Sequence, residues 1–193
     1  MKKIGIFALS MCPGLALAHP SHAEAGFVSG FIHPFTGIDH LAAMFGVGLI
    51  CSLFFSKEKN FKWAILLVLA SSLGVGALLA VVGLKLQFIE AMITLSVVCV
   101  GMLLLLGGLG RSINQWTVCG LAVLSAFHGY VHILEGSGVM NFGQYALGFI
   151  ISSIALYFAG LSLGNKLTSV LDKQKLCMLS GGAYMLVGLA LGL

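Results

Sequence analysis

The stretch KWAILLVLASSLGVGALLAVVGL, residues Lys62–Leu84, decides the fold class of this chain. After its leading lysine it carries no charged side chain, and its apolar residues run continuously instead of alternating. About 20 such residues are enough for a helix to cross the hydrocarbon core of a bilayer. A helix satisfies every backbone hydrogen bond within itself, which lipid requires. The stretch therefore predicts a transmembrane helix.

The rest of the chain has the same character. It is 59% hydrophobic and only 8% charged, whereas a soluble domain carries about a quarter charged residues. Such a chain cannot cover a water-facing surface. We therefore predict an all-α integral membrane protein, a compact bundle of six transmembrane helices that follows an N-terminal signal peptide. The predicted spans are Gly26–Phe55, Lys62–Leu84, Phe88–Leu109, Gln115–Gly136, Phe142–Gly164 and Lys175–Leu193.

The N-terminus is typical of a secretory signal. Lys2 and Lys3 precede an apolar core, and Ala16-Leu17-Ala18 forms a cleavage site of the A-x-A type. Cleavage after Ala18 would leave residues 19–193 as a single six-helix domain whose N-terminus lies in a bacterial periplasm. An uncleaved first helix is the alternative.

The basic residues indicate the orientation. They concentrate in the loops Ser56–Lys62 and Asn165–Lys175 and at Arg111, whereas the loops on the other side hold only Lys85. Cytoplasmic loops carry such an excess of Lys and Arg. We therefore predict an inner-membrane protein with both termini in the periplasm. Because these charges lie in short loops, they do not indicate a nucleic-acid partner.

The segment FHGYVHILEG brings costly polar groups into the fourth span. His128, His132 and Glu135 are spaced i, i+4, i+7, which places them on one helix face. Polar residues within the membrane usually mark an ion pathway, and two imidazoles one turn apart can share a metal ion. The alternative is a pair of histidines that bind the backbone of neighbouring helices.

The segment HPFTGIDH places polar side chains within the first span. His33 and His40 are seven residues apart, so a regular helix would place them two turns apart on one face. Asp39 could ligate a metal ion directly or orient a ligating imidazole. Pro34 and Gly37 should loosen the helix, as happens where spans break around transported ions.

Two further residues are candidate ligands. Glu90, the carboxylate of the third span, either completes the site or sits at the interface beside Lys85. His19, at the mature N-terminus, would chelate metal with its own amine, or belong to a disordered polar end. Imidazole and carboxylate together suit borderline divalent metals. The candidate metal ligands are His33, Asp39, His40, His128, His132, Glu135, Glu90 and His19.

Three segments together resemble the HupE/UreJ family of nickel permeases associated with hydrogenase and urease. They are HPFTGIDH, FIEAMITLS (Phe88–Ser96) and FHGYVHILEG (Phe127–Gly136), and the signal peptide and six spans extend the resemblance over the whole chain. The resemblance implies an indirect link to hydrogenase or urease maturation. It also implies that nickel translocation is carried by His33, Asp39, His40, His128, His132 and Glu135.

These observations predict a secondary permease, not an enzyme, that carries Ni²⁺ from the periplasm to the cytoplasm. No G-x-x-x-x-G-K-[ST] segment for binding nucleotide is present. A membrane potential supplies about 2.3 kcal/mol per charge per 100 mV, hence roughly 4.6 kcal/mol for a dication.

We expect no cofactor, since Ni²⁺ or Co²⁺ would be the transported substrate. The alternatives are a Co²⁺ transporter, a metal-binding accessory or sensor protein, and a haem protein. A homo-oligomer is compatible with the sequence.

Overall fold

The computed structural model describes residues 26–135 and 141–192, and α-helix is the regular secondary structure throughout these two ranges. The predicted signal peptide and His19 lie outside the described residues. The helices are α1 (Phe27–Thr36), α2 (Ile38–Phe54), α3 (Lys59–Val81), α4 (Ile89–Gly108), α5 (Gln115–Val123), α6 (Ser125–Glu135), α7 (Phe142–Leu167) and α8 (Lys173–Leu191).

The helices have the length and apolar character of membrane spans. The segments α3, α4, α5 with α6, α7 and α8 are each long and apolar enough to cross a membrane, and the bent pair α1 and α2 makes a sixth candidate. Their bounds match the predicted spans to within about one helical turn. The prediction of an all-α membrane protein is confirmed.

The first span is broken. Pro34 lies in the last turn of α1, and Gly37 then adopts an extended conformation with φ −93° and ψ 114°. The axes of α1 and α2 differ by 84° across this break. The expectation that His33 and His40 share one face of a continuous helix is therefore wrong. A proline without an N–H, followed by an extended glycine, ends the helix between them.

The fourth span contains a smaller irregularity between α5 and α6. Leu124 and Phe127 each donate their backbone N–H to the carbonyl three residues earlier, at 3.2 Å and 3.1 Å. Such bonds tighten the backbone locally into a 3₁₀-like turn. Ser125 fixes this turn because its hydroxyl lies 2.6 Å from the Ala122 carbonyl and 3.1 Å from the Leu69 carbonyl of α3.

Glycines allow the helices to approach one another closely. Three pairs of glycines face each other across helix contacts. A Cβ atom added to either member of a pair would overlap a backbone carbonyl of the partner helix. Small residues permit this close packing between membrane helices. As a result, α7 packs closely against both halves of the broken first span, and α6 packs against α3. The pairs are Gly30 with Gly148, Gly48 with Gly160, and Gly76 with Gly129.

We expect Gly129→Ala to destabilise the bundle. The added methyl group would overlap the Leu73 carbonyl of α3, which no side-chain rotation can relieve. Overpacking of this kind typically costs about 1–3 kcal/mol, so thermal unfolding in detergent should occur at a lower temperature. Gly120→Ala, in the same span, is the control, because its Cβ would meet no atom of a neighbouring helix within 4 Å. Equal unfolding temperatures for the two variants would contradict this packing.

Candidate metal centre

Three histidines from two helices converge in the interior. His40 lies in the first turn of α2, and His128 and His132 lie one turn apart on α6. One ring nitrogen from each lies within 4.8 Å of the other two. His40 and His128 are fully buried, and His132 is 4% exposed. We call these three residues the inner cluster.

Two of the inner imidazoles are held by serine hydroxyls from other helices. The Nε2 atom of His40 lies 2.9 Å from Oγ of Ser153 on α7. The Nε2 atom of His128 lies 2.9 Å from Oγ of Ser96 on α4. Metal-binding imidazoles commonly use their second nitrogen in this way, because the bond fixes the orientation of the ring.

The remaining ring nitrogen of each inner histidine has no hydrogen-bond partner. Among the side chains that the structure describes, the buried nitrogen or oxygen atoms without a partner are His40 Nδ1, His128 Nδ1 and His132 Nε2. Buried polar atoms in proteins are nearly always paired, because an unpaired one loses its bond to water without replacement. One ion bound by all three imidazoles would satisfy these atoms together.

A second group, the outer cluster, consists of His33, His132 and Glu135. The Nε2 atom of His33 lies 2.8 Å from His132 Nδ1 and 3.0 Å from Glu135 Oε2. His132 Nδ1 lies 2.8 Å from the same carboxylate oxygen. The side chain of Glu135 is 52% exposed and that of His33 is 29% exposed. The outer cluster thus reaches the surface, whereas the inner cluster is sealed.

His132 belongs to both clusters. Its Nδ1 atom faces the outer cluster, and its Nε2 atom is the unpartnered nitrogen of the inner cluster. A single imidazole therefore connects the two groups. A chain of potential metal ligands therefore runs from the surface to the interior.

Helix α7 forms an aromatic wall along both clusters. The Phe149 ring lies 4.8 Å from the His40 ring and 5.2 Å from the His132 ring, measured between centroids. Tyr145 packs 5.9 Å from the His33 ring, and its hydroxyl donates to the His132 carbonyl at 3.3 Å. Such an apolar shell excludes water from the ligands.

Asp39 lies beside the clusters and belongs to neither. Its Oδ1 atom is 2.9 Å from the point that a Cβ on Gly37 would occupy, and His132 Cε1 is 3.8 Å from the same point. The missing side chain of Gly37 thus leaves an opening between this half-buried carboxylate and the clusters. Asp39 is close enough to attract a cation toward them.

Glu90 also lies outside both clusters. It is exposed at the start of α4 and lines a cavity with Thr94 and Leu191 at the end of α8. The structure therefore brings together five of the eight candidate ligands, places Asp39 beside them and leaves Glu90 apart. His19 lies outside the described residues. The five are His33, His40, His128, His132 and Glu135.

Ser96 and Ser153 were not among the predicted site residues. Serine is common in membrane helices, because its hydroxyl can bond to the carbonyl three or four residues earlier. A serine in a span therefore does not by itself mark a functional site. In the sequence, these two residues stand out only as a hydroxyl within FIEAMITLS and as one of the Ser152-Ser153 pair.

Comparison with known proteins places these observations in context. A family model described as HupE / UreJ protein matches residues 7–191. Protein HupE of Rhizobium leguminosarum bv. viciae is 30% identical over 179 residues, which cover 93% of this chain and 91% of that protein. No solved structure matches the chain significantly.

Proposed function

We propose that this chain, which belongs to the HupE/UreJ family, is a secondary permease that carries Ni²⁺ into the cytoplasm, and not an enzyme. One observation carries the proposal. Three buried imidazoles bring ring nitrogens within 4.8 Å of one another, and each ring has one nitrogen without a hydrogen-bond partner. Nitrogen donors suit Ni²⁺, Co²⁺ and their neighbours in the first transition row. An outer cluster with a carboxylate gives such an ion a route in from the surface.

The two clusters act as consecutive stations on this route. An ion arriving from the periplasm exchanges part of its water shell for His33 and Glu135, whose carboxylate offsets its charge. It then moves to the inner cluster, where His40 and His128 complete the set. A neutral imidazole has one lone pair, so His132 serves one station at a time. The route therefore holds one ion between the two stations.

The arrangement of the loops supports entry from the periplasm. One cavity at the basic end of the bundle is lined by Glu58 before α3, Arg111 after α4 and Lys173 at the start of α8. The fourth span begins at that end, where Gln115 contacts Glu58, and it finishes at Glu135. The clusters therefore lie at the end opposite the basic loops. By the positive-inside rule, that end is periplasmic in the inner membrane.

The geometry of the two clusters bears differently on the alternative functions. A haem between these histidines is disfavoured, because the His40 ring lies 4.9 Å from the His132 ring and 5.3 Å from the His128 ring, with Phe149 packed alongside. That spacing leaves no room for a porphyrin. Co²⁺ suits the same nitrogen and oxygen donors as Ni²⁺. A metal-binding accessory protein would use the same clusters without transport.

Uptake by the purified protein in proteoliposomes tests the proposal. An entrapped metal-sensitive dye should report Ni²⁺ entry that increases when the interior is made negative, because a dication gains roughly 4.6 kcal/mol per 100 mV. Competition with Co²⁺, Zn²⁺ and Mn²⁺ ranks the substrates. Stoichiometric Ni²⁺ binding without uptake would contradict transport and favour the accessory role.

A further inference from the structure

Two buried serines contact the inner cluster from outside. Ser96 on α4 and Ser153 on α7 are 1% and 0% exposed. Each places its Oγ atom 2.9 Å from the Nε2 atom of an inner histidine, His128 and His40 respectively. Because each hydroxyl contacts Nε2, the Nδ1 atom is the nitrogen of His40 and of His128 that is left for a metal ion.

The hydroxyl hydrogen of each serine has another acceptor. Ser96 donates to the Ile93 carbonyl at 2.7 Å, and Ser153 donates to the Phe149 carbonyl at 2.7 Å. A hydroxyl has a single hydrogen, so it can offer the imidazole only a lone pair. The imidazole must then be the donor. In a neutral ring that donates through Nε2, the Nδ1 atom carries the free lone pair.

The unpartnered atoms agree with this assignment. In the opposite tautomer, His40 and His128 would each bury an Nδ1–H group without an acceptor, which proteins avoid. The same reasoning assigns the opposite tautomer to His132. The Glu135 carboxylate only accepts, so it selects the Nδ1–H form of His132 and leaves the lone pair on Nε2. His33 Nε2 contacts the same His132 nitrogen at 2.8 Å and the same carboxylate oxygen at 3.0 Å, so it can donate to the carboxylate as well.

We propose that Ser96 and Ser153 are positioning residues that hold His128 and His40 in the Nε2–H tautomer, with the Nδ1 lone pairs directed into the inner cluster. The proposal rests on the proposed function, since it takes the inner cluster to bind a divalent cation. Three neutral nitrogen donors are then prepared before the ion arrives, and the ion has no proton to displace there.

Ser152 provides a matched control. It neighbours Ser153, is equally buried, and donates to the same Phe149 carbonyl at 3.0 Å. Among the described residues, its side chain makes this hydrogen bond alone. Ser152→Ala therefore removes a hydroxyl from the same turn of α7 without removing a partner of an imidazole. Ser153→Thr is the conservative variant, because threonine keeps the hydroxyl and its bond to the preceding turn.

The experiment measures tautomers and affinity separately. The ¹⁵N chemical shifts of the imidazoles in labelled, metal-free protein report which nitrogen carries the proton, and calorimetry with Ni²⁺ alone reports affinity. We expect Nε2–H forms of His40 and His128 in the wild type. Ser96→Ala and Ser153→Ala should disturb the tautomer of the contacted histidine and weaken Ni²⁺ binding roughly 10–100-fold. Ser152→Ala and Ser153→Thr should match the wild type.

The outcomes distinguish this proposal from the proposed function. Nδ1–H forms of His40 and His128 in the wild type would overturn the tautomer assignment, as would equal affinities for Ser153→Ala and Ser152→Ala. Nε2–H forms that depend on the two serines, in a protein that binds no Ni²⁺, would support the assignment and contradict the permease. Ser153→Thr distinguishes loss of the hydroxyl from misfolding. If this variant binds Ni²⁺ like the wild type, the weaker binding of Ser153→Ala is due to the missing hydroxyl.

Discussion

Replacing His132 by alanine is expected to abolish Ni²⁺ uptake and to weaken Ni²⁺ binding by at least about 100-fold. The reason is that His132 belongs to both groups of potential ligands found in the described part of the chain. Its removal leaves His33 and Glu135 at the surface and His40 and His128 in the interior. The ion then loses the residue that connects the two stations.

Uptake into proteoliposomes and calorimetric titration measure this effect. Cys99→Ser is a suitable control, because Cys99 is a half-buried side chain of α4 that belongs to neither cluster. It should transport and bind like the wild type. Uptake at the wild-type rate by the His132→Ala variant would exclude this imidazole from the route.

Replacing His40 by alanine is expected to separate binding from transport. The outer cluster contains no atom of His40, so His33, His132 and Glu135 should still bind Ni²⁺ close to the surface. The inner cluster keeps only the two imidazoles of α6, which cannot replace the third ligand. Uptake should fall at least about 100-fold, whereas one Ni²⁺ per protein still binds with reduced affinity.

Glu135→Gln is the reciprocal variant for this prediction. It removes the charge of the outer cluster, and its amide oxygen can still accept from His132 Nδ1. Transport should therefore continue, with a higher KM and little change at saturating Ni²⁺. If His40→Ala and Glu135→Gln had the same kinetic effect, the assignment of two consecutive stations would be wrong.

The parts of the site that were predictable are those set by local geometry. His128, His132 and Glu135 lie on one helix, and their spacing alone places them on a common face. The break in the first span was also foreshadowed, since Pro34 and Gly37 both weaken a helix. In each case the relevant interactions connect residues within two turns of one another.

The placement of Glu90 was not predictable in the same way. It lies on α4 with Ser96, the residue that contacts His128. Six residues along a helix correspond to a rotation of about 120° from the starting face, so α4 cannot direct both side chains toward the cluster. The rotation of α4 is decided by its packing against α8, in which Gly101 and Gly181 approach the partner helix closely.

The sequence by itself determined that this is a helical membrane protein, and it identified most of the polar side chains that form the centre. Hydrophobic length and helical spacing are properties of a segment, so no neighbour is needed to express them. Only the tertiary structure decided that His33 and His40 reach His132 from two helices bent by 84°, and that Ser96 and Ser153 contact the imidazoles. Those contacts depend on how α1, α2, α4 and α7 pack around α6, and packing between distant segments leaves no periodic trace in the chain.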